Sequence, residues 1–419
     1  MRLVEQCIIS KKHDFWKECD RVCFATKNLY NQALYRVIEH YKETKKYKNY
    51  NEIVKELAKE KQVDFVRLNT KISQQVLMLL DKNWKSFFKS LKVYEKNPEK
   101  FTGKPNTPKY LPKIRGRFAA VFTIQTISKP ALKKGILKLS SCNIQIPTDK
   151  NVQQARIVPL KTGEYKIEIV YLKQEPILIV NERYAGIDIG VNNLATVVTN
   201  TELKPFIING KQLKSVNQNY NKNLAKQKSA LPHFINNKSE KKQRSYSKIT
   251  NRLTHKRNCR ADDLIHRASR KLVNILKQAN ISKAVIGKNK QWKTEINIGS
   301  KNNQKFVSIP HAEFISKVAY KLRMEGIECI QREESYTSKC SFLDGEEIKK
   351  HDTYLGKRIK RGLFKTATGF KWNADCNAAA NILKKEIPNA FQAYGMKGTV
   401  VSPVIINPYQ RQRSHKKAA

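Results

Sequence analysis

The sequence predicts an α+β multidomain protein, and three observations lead there. Residues 13–100 carry apolar positions at helical spacing. From about Arg117 to Gln174 the pattern changes to short alternating runs of strand type. Beyond Tyr184, apolar strand-like runs alternate with amphipathic helical stretches as an αβ series. At 419 residues the chain has material for two or three such units and their cores.

The elements follow in order. A strand-like run from Leu3 to Ile9 opens the chain. In the helical region, "FATKNLYNQALYRVIEHYKE" sets Leu29, Ala33, Val37 and Tyr41 on one face, and "SQQVLMLLDKNWKSFFKSL" sets Val76, Leu79, Leu80, Trp84, Phe87 and Phe88 on another. Aromatics at this spacing read as core rather than as base-stacking platforms. Four prolines and a glycine in "NPEKFTGKPNTPKYLP" then break the helical pattern and mark a boundary. The runs "AAVFTIQTI", "ILKLS", "IQIPT", "ARIVPL" and "YKIEIVYL" read as the strands of a small β-barrel, to which the N-terminal strand returns. "RYAGIDIGVNNLATVVTN" is a buried strand, a Gly turn and a second strand. Residues 211–280 read as long basic helices, followed by strand "KAVIG", helix "PHAEFISKVAYKLRMEG" and strand "IECIQ". The tail beyond Pro388 reads as basic and flexible.

Composition narrows the partners. Lys and Arg number 82 against 35 Asp and Glu, a formal net charge of +47. Such a chain repels itself when compact unless a polyanion neutralises it, so nucleic acid is the expected partner. A membrane-surface role would gather the basic residues on one amphipathic helix, and here they spread over the chain. No stretch has the apolar length of a membrane span and the N-terminus lacks a signal-peptide core, so the expected location is cytoplasmic. The eight cysteines include no C-x-x-C pair, which argues against disulfides and leaves a zinc site little to build on. Cys19 and Cys23, one helical turn apart on an apolar face, read as core.

Three acidic positions stand out. Asp188 lies mid-strand in "GIDIG", where an aspartate is costly unless paired or bound to a cation. Asp375 begins the small-residue helix "DCNAAANIL", which could approach that strand closely. Glu333 and Glu334 end the strand "IECIQREE". Carboxylates converging from different strand ends suit two-metal phosphodiester cleavage. Singly, each has a plainer account: Asp188 as a turn former or part of a sugar-kinase-type ATPase site, Asp375 as a helix cap.

In the order "YAGIDIGVNNLATV", "IPHAEFISKVAYKLRMEGIECIQREESYTSKCSFLDG", "NADCNAAANIL", the sequence resembles the TnpB (OrfB) family of insertion-sequence proteins, often labelled transposases and related to type V CRISPR effectors and Fanzor proteins. The resemblance covers nearly the whole chain. It implies a RuvC-like nuclease of RNase H fold, guided by a transposon-end RNA and cleaving target DNA with Mg²⁺ or Mn²⁺. The implied organisation is a wedge-like barrel from 1–12 and 105–180 and a helical recognition domain at 13–104. The nuclease domain would be 181–335 and 373–387, with an insertion at 336–372 and a basic tail at 388–419. By position, Asp188 matches the first RuvC aspartate and Asp375 the last.

Two departures from the family pattern matter. The family's zinc ribbon would need paired cysteines after "TS", where Ser341 and Asp344 stand, so Cys340 is alone and no zinc is expected. Segment 336–372 is instead expected to pack through Phe342, Leu343, Tyr354, Ile359, Leu363 and Phe364. "NAD" also replaces the commoner Asp-Arg-Asp, with Asn373 and Ala374 ahead of Asp375. The second departure lies in "KAVIGKNKQWK": the family's middle glutamate would end this strand, and Gly287 stands there. The strand after it is one further out, and adjacent strands lie about 4.8 Å apart. A glutamate on the outer strand could span that gap if the inner position is empty, as in the rearranged sites of Fanzor proteins and some TnpB relatives. Glu334, abutting the "SYTS" turn, is favoured over Glu333. The sequence thus expects Asp188, Glu334 and Asp375 as catalytic metal ligands. The competing reading takes Gly287 at face value, as an RNA-guided DNA-binding protein without cleavage. A strand-transferring transposase has no support in these residues.

Overall fold

The computed structural model describes residues 1–229, 240–289, 299–392 and 403–409, with backbone alone at 240–247, 300, 301 and 305. The basic run 410–419 and the stretch 290–293 lie outside the described residues. Two compact units divide the chain at Met1–Gln174 and Glu175–Ala419.

In the first unit, strand β1 (Arg2–Ile9) precedes helices α1 (Trp16–Thr44), α2 (Tyr50–Lys59), α3 (Val63–Val66) and α4 (Thr70–Lys96). Buried positions three and four apart on α1, among them Leu29, Ala33 and Val37, face Val76, Leu80 and Trp84 of α4. Helix α2 starts at a reciprocal capping box, Asn49 accepting from the Glu52 N–H and the Glu52 carboxylate from the Asn49 N–H. Phe87 and Phe88 ring Trp84 at 5.8 and 5.6 Å, so these aromatics serve packing.

Strands β2 (Ala120–Thr123), β5 (Asn151–Pro159) and β6 (Tyr165–Leu172) join β1 in an antiparallel sheet of order β1-β6-β5-β2. The expected barrel is therefore an open sheet with β1 and β2 at its edges. Helix α5 (Lys129–Lys133) precedes β3 (Ile136–Lys138) and β4 (Gln145–Pro147), which pair only with each other. The start of α1 closes the sheet's apolar face through Cys19, Val22 and Cys23, buried with Phe122, Ile157 and Ile167.

The second unit is built on a sheet of order β11-β10-β7-β8-β9-β15. Its strands are β7 (Tyr184–Ile189), β8 (Asn193–Thr199), β9 (Phe206–Asn209), β10 (Lys283–Gly287), β11 (Glu328–Arg332) and β15 (Val404–Ile406). β7, β8 and β9 run antiparallel in turn, and β10 and β11 add in parallel beside β7. Strand β15 pairs in parallel with β9, so residues 404–406 depart from the flexible tail expected beyond Pro388. Val404 and Ile405 are largely exposed there: backbone pairing to an open edge, not core burial, holds this strand. Residues 175–180 also fall in this unit rather than with the barrel strands, and the Ile179 N–H donates to the Gly326 carbonyl.

Side-chain alternation divides the sheet's faces. Ala185, Ile187, Ala284 and Ile286 point to a core covered by α7 (Glu240–Gln278), through Leu264, Ile265, Ala268 and Leu272, and by α9 (His311–Met324), through Phe314 and Val318. Helix α6 (Lys211–Ser229) precedes α7 and buries Leu213 in the same core; α8 (Ser300–Ser308) leads into α9. The opposite face, with Gly186, Asp188, Val285 and Gly287, receives α10 (Ala374–Glu386). Between β11 and α10, strands β12 (Lys357–Lys360), β13 (Leu363–Lys365) and β14 (Lys371–Asn373) form a small antiparallel sheet. Phe342, Phe364 and Trp372 bury against Ala379, Ala380 and Val198. Ile359, expected to pack here, is exposed, as is every residue of the edge strand β12, whose register with β13 shifts after Arg358; Trp372 of β14 is buried.

Candidate metal centre

The site begins with a close approach of two backbones. A Cβ on Gly186 would lie 2.2 Å from the Ala379 carbonyl oxygen and 2.8 Å from the Leu383 Cβ. Only glycine lets α10 lie this near β7, and the small residues Ala378, Ala379 and Ala380 complete the fit. The approach sets Asp375, in the first turn of α10, within electrostatic range of Asp188. The cap of α10 is Asn373, whose Oδ1 accepts from the Asp375 and Cys376 N–H groups at 2.9 and 3.1 Å. The Asp375 carboxylate is therefore not the cap. Its Oδ2 accepts from Asn193 Nδ2 at 2.6 Å and its Oδ1 from Arg358 Nη2 at 3.1 Å.

Asp188 is the last residue of β7 on the side that receives α10, with Thr196 opposite it on β8. Burial, then Asp375, then Glu334 push its carboxyl well above the ordinary range, and Arg358 partly offsets them. Thr196 Oγ1 is buried there with no hydrogen-bond partner among the described residues.

Glu334 comes from beyond the end of β11. The β10–β11 register pairs Gly287 with Arg332, so the two residues after Arg332 leave the ladder beside the end of β10. A Cβ on Gly287 would meet Glu334 Oε2 at 2.7 Å and Ile382 Cδ1 at 2.5 Å. The glutamate carboxylate thus occupies the room a side chain at 287 would take. Its Oε1 accepts from Asn289 Nδ2 at 3.1 Å, while Oε2 is buried without a partner among the described residues. Burial, with Glu333 adding to it, pushes Glu334 up to about 7. Glu333 turns away: Oε2 pairs with Lys385 at 2.8 Å and Oε1 takes the Ser335 hydroxyl and N–H. Those contacts hold it below the usual carboxylate value, Lys385 first.

The turn after Glu334 is fastened to α10. Asn377 and Asn381, fully buried one turn apart, donate to the Cys340 carbonyl at 2.8 Å each, and Asn381 also donates to the Thr337 carbonyl at 2.9 Å. The Phe342 N–H donates to Asn377 Oδ1 at 3.0 Å. One helix therefore carries Asp375 and anchors the segment behind Glu334. Sequence reasoning missed Asn193, Arg358, Asn289 and this asparagine pair. Two asparagines at i and i+4 in an alanine-rich helix were the available signal, since such a face is buried only when both amides are bonded.

The donor set suits a hard divalent cation, being carboxylate oxygens with one buried and unpartnered. Asp375 and Glu334 each act electrostatically on Asp188, yet no group of three or more His, Cys, Asp or Glu side chains stands at metal-holding spacing among the described residues. Arg358, paired with Asp375, supplies positive charge at the same place.

The sequence matches a family model described as probable transposase, OrfB_IS605, over residues 170–293, and a model of the Cas12f1-like TNB domain over residues 311–382. The first span holds Asp188, and the second holds Glu334 and Asp375. The chain is TnpB-like. No curated protein matches the sequence. Among solved structures, a cryo-EM structure of a Cas12f1–sgRNA–target DNA complex is similar at a TM-score of 0.51 and 16% identity, over 88% of this chain and 82% of that one. A cryo-EM structure of a CRISPR–Cas12f ternary complex covers 88% of this chain and 80% of its own, at a TM-score of 0.39 and 15% identity. The first likeness establishes a shared α+β fold. Among the described residues, no helix is long and apolar enough to cross a membrane.

Proposed function

We propose that this TnpB-like chain is an RNA-guided DNA endonuclease whose Mg²⁺-dependent, RuvC-like site consists of Asp188, Glu334 and Asp375. The observation that carries the reading is the carboxylate of Glu334 beside Gly287, its Oε2 2.7 Å from where a side chain at 287 would begin. A strand order in which β8 and β9 follow β7 antiparallel in turn on one side, while β10 and β11 add in parallel on the other, supports an RNase H-like framework. Bound divalent ions would activate a water and stabilise the leaving oxygen of the cleaved phosphodiester.

The protein's residues supply geometry and charge. Gly186 admits α10, and with it Asp375, to the side of β7 that carries Asp188; Asn193 hydrogen-bonds Asp375, and Asn377 and Asn381 hold the segment that follows Glu334. The partners read here are a guide RNA from the transposon end and its target DNA. The charge of +47 and the exposed ridge Lys248, Arg252, Lys256 and Arg260 on α7 support polyanion binding.

A second reading, a guided DNA-binding protein without cleavage, draws support from Arg358, which already pairs with Asp375. The RNA-loaded chain, given target plasmid with Mg²⁺ or Mn²⁺, decides between them. The nuclease reading expects cutting that Asp188→Ala, Glu334→Gln and Asp375→Ala each reduce by several orders of magnitude, with guided binding intact and Glu333→Gln milder. Target binding without cutting by the unmutated protein would establish the second reading instead.

A further inference from the structure

Two residues beyond Gly287 stands Asn289, and its amide makes a reciprocal pair with Glu334. Asn289 Nδ2 donates to Glu334 Oε1 at 3.1 Å, and the Glu334 backbone N–H donates to Asn289 Oδ1 at 3.1 Å. We propose that Asn289 is the positioning residue for the Glu334 carboxylate, a clamp that lets a glutamate from the outer strand serve at the place vacated on the inner one. The proposal rests on Asp188, Glu334 and Asp375 forming a metal site.

A glutamate at 287 would grow from the inner strand and need no clamp. From the end of the outer strand, the carboxylate must cross a full strand spacing on a side chain with several rotatable bonds, and its ordering carries an entropic cost. Asn289 restricts it at both ends. The N–H of Glu334 takes Oδ1, which fixes the amide orientation, so Nδ2 is the group left facing the carboxylate. With Oε1 held, Oε2 is turned to the Gly287 side, where it is buried and bonded to nothing among the described residues.

Neutrality matters as much as geometry. The neighbouring Glu333 is held by Lys385, a cation that neutralises it. Asn289 orients Glu334 without cancelling its charge, so the carboxylate stays available to a cation. Leucine has the size without the bonds; aspartate keeps the acceptor and loses the donor. Partners of this kind, behind a ligand, govern its orientation, and their loss weakens metal binding about tenfold to a hundredfold.

The test measures Mn²⁺ binding to the full chain freed of RNA, by the electron paramagnetic resonance signal of free Mn²⁺, with Asp188→Ala as background. Asn289→Leu is expected to weaken binding about tenfold to a hundredfold in the unmutated chain and to add nothing in Glu334→Gln, because its effect runs through that carboxylate. Asn289→Ser, polar but too short for both bonds, should behave alike and guards against a folding defect in the leucine variant. Equal weakening with and without Glu334, or unchanged binding in both Asn289 variants, overturns the clamp and leaves the site reading intact. Binding by the unmutated chain no tighter than by Asp188→Ala overturns the site reading and the clamp with it.

Discussion

Gly287→Ala is the smallest perturbation that addresses the rearranged carboxylate. The added Cβ would stand 2.7 Å from Glu334 Oε2 and 2.5 Å from Ile382 Cδ1, where ordinary contact begins at 3.4 Å. Ile382 Cδ1 is the end of a flexible side chain and can swing aside. The carboxylate must retreat by about 0.7 Å, and Asn289 holds its other oxygen, so the retreat strains or breaks that bond. Overpacking of this kind costs about 1–3 kcal/mol of stability. A displacement approaching 1 Å at a reacting centre costs up to about a hundredfold in rate, so cleavage should fall between about tenfold and a hundredfold while guided DNA binding is retained. Single-turnover cleavage of a target duplex by RNA-loaded protein, alongside thermal unfolding, measures both. Cleavage at the unmutated rate with an unchanged Mg²⁺ requirement would refute the argument, because the side chain would then share space with Glu334 at no cost.

Other outcomes follow from the same geometry. Gly186→Ala drives a Cβ to 2.2 Å from the Ala379 carbonyl, a backbone atom that cannot move alone, so the loss should exceed that of Gly287→Ala and separate Asp188 from Asp375; a melting temperature within a degree of the unmutated chain would contradict it. Glu334, pushed up to about 7 from 4.5, keeps its proton in the folded chain after the unfolded chain has lost it. That contribution to stability is full below about 4.5 and fades as pH rises through about 7, so without divalent ions the chain should melt lower at pH 8 than at pH 6, and Glu334→Gln should flatten the fall. Identical pH slopes in thermal unfolding of the two proteins would refute this. Replacing Lys248, Arg252, Lys256 and Arg260 together by alanine removes a basic ridge about 18 Å long, and the slope of log affinity for RNA against log salt should drop by about 3. An unchanged slope would show that RNA lies elsewhere.

The sequence by itself determined the α+β class and the helical region with its aromatic core, and it singled out Asp188, Asp375 and the pair Glu333 and Glu334 as candidates, because these reside in local periodicity and in acidic residues set against apolar strands. The partner class was legible for the same reason, since a charge of +47 is a sum over residues and needs no fold. Tertiary structure alone decided the rest. Whether β1 and β2 close a barrel depends on a ladder between distant segments, and the ladder stays open. Residues 404–406, Val-Ile-Ile, are apolar and β-branched but too short a run to announce a strand by period, and the free edge of β9 recruits them. In 336–372, Ile359 lies on the edge strand β12, exposed along its length, while Trp372 of β14 enters the core. At the site, sequence favoured Glu334 over Glu333 only by its place beside the "SYTS" turn. Their separation comes from Lys385 on α10 and Asn289 on β10's extension, 52 and 45 residues away along the chain, and only folding brings such partners within hydrogen-bond reach.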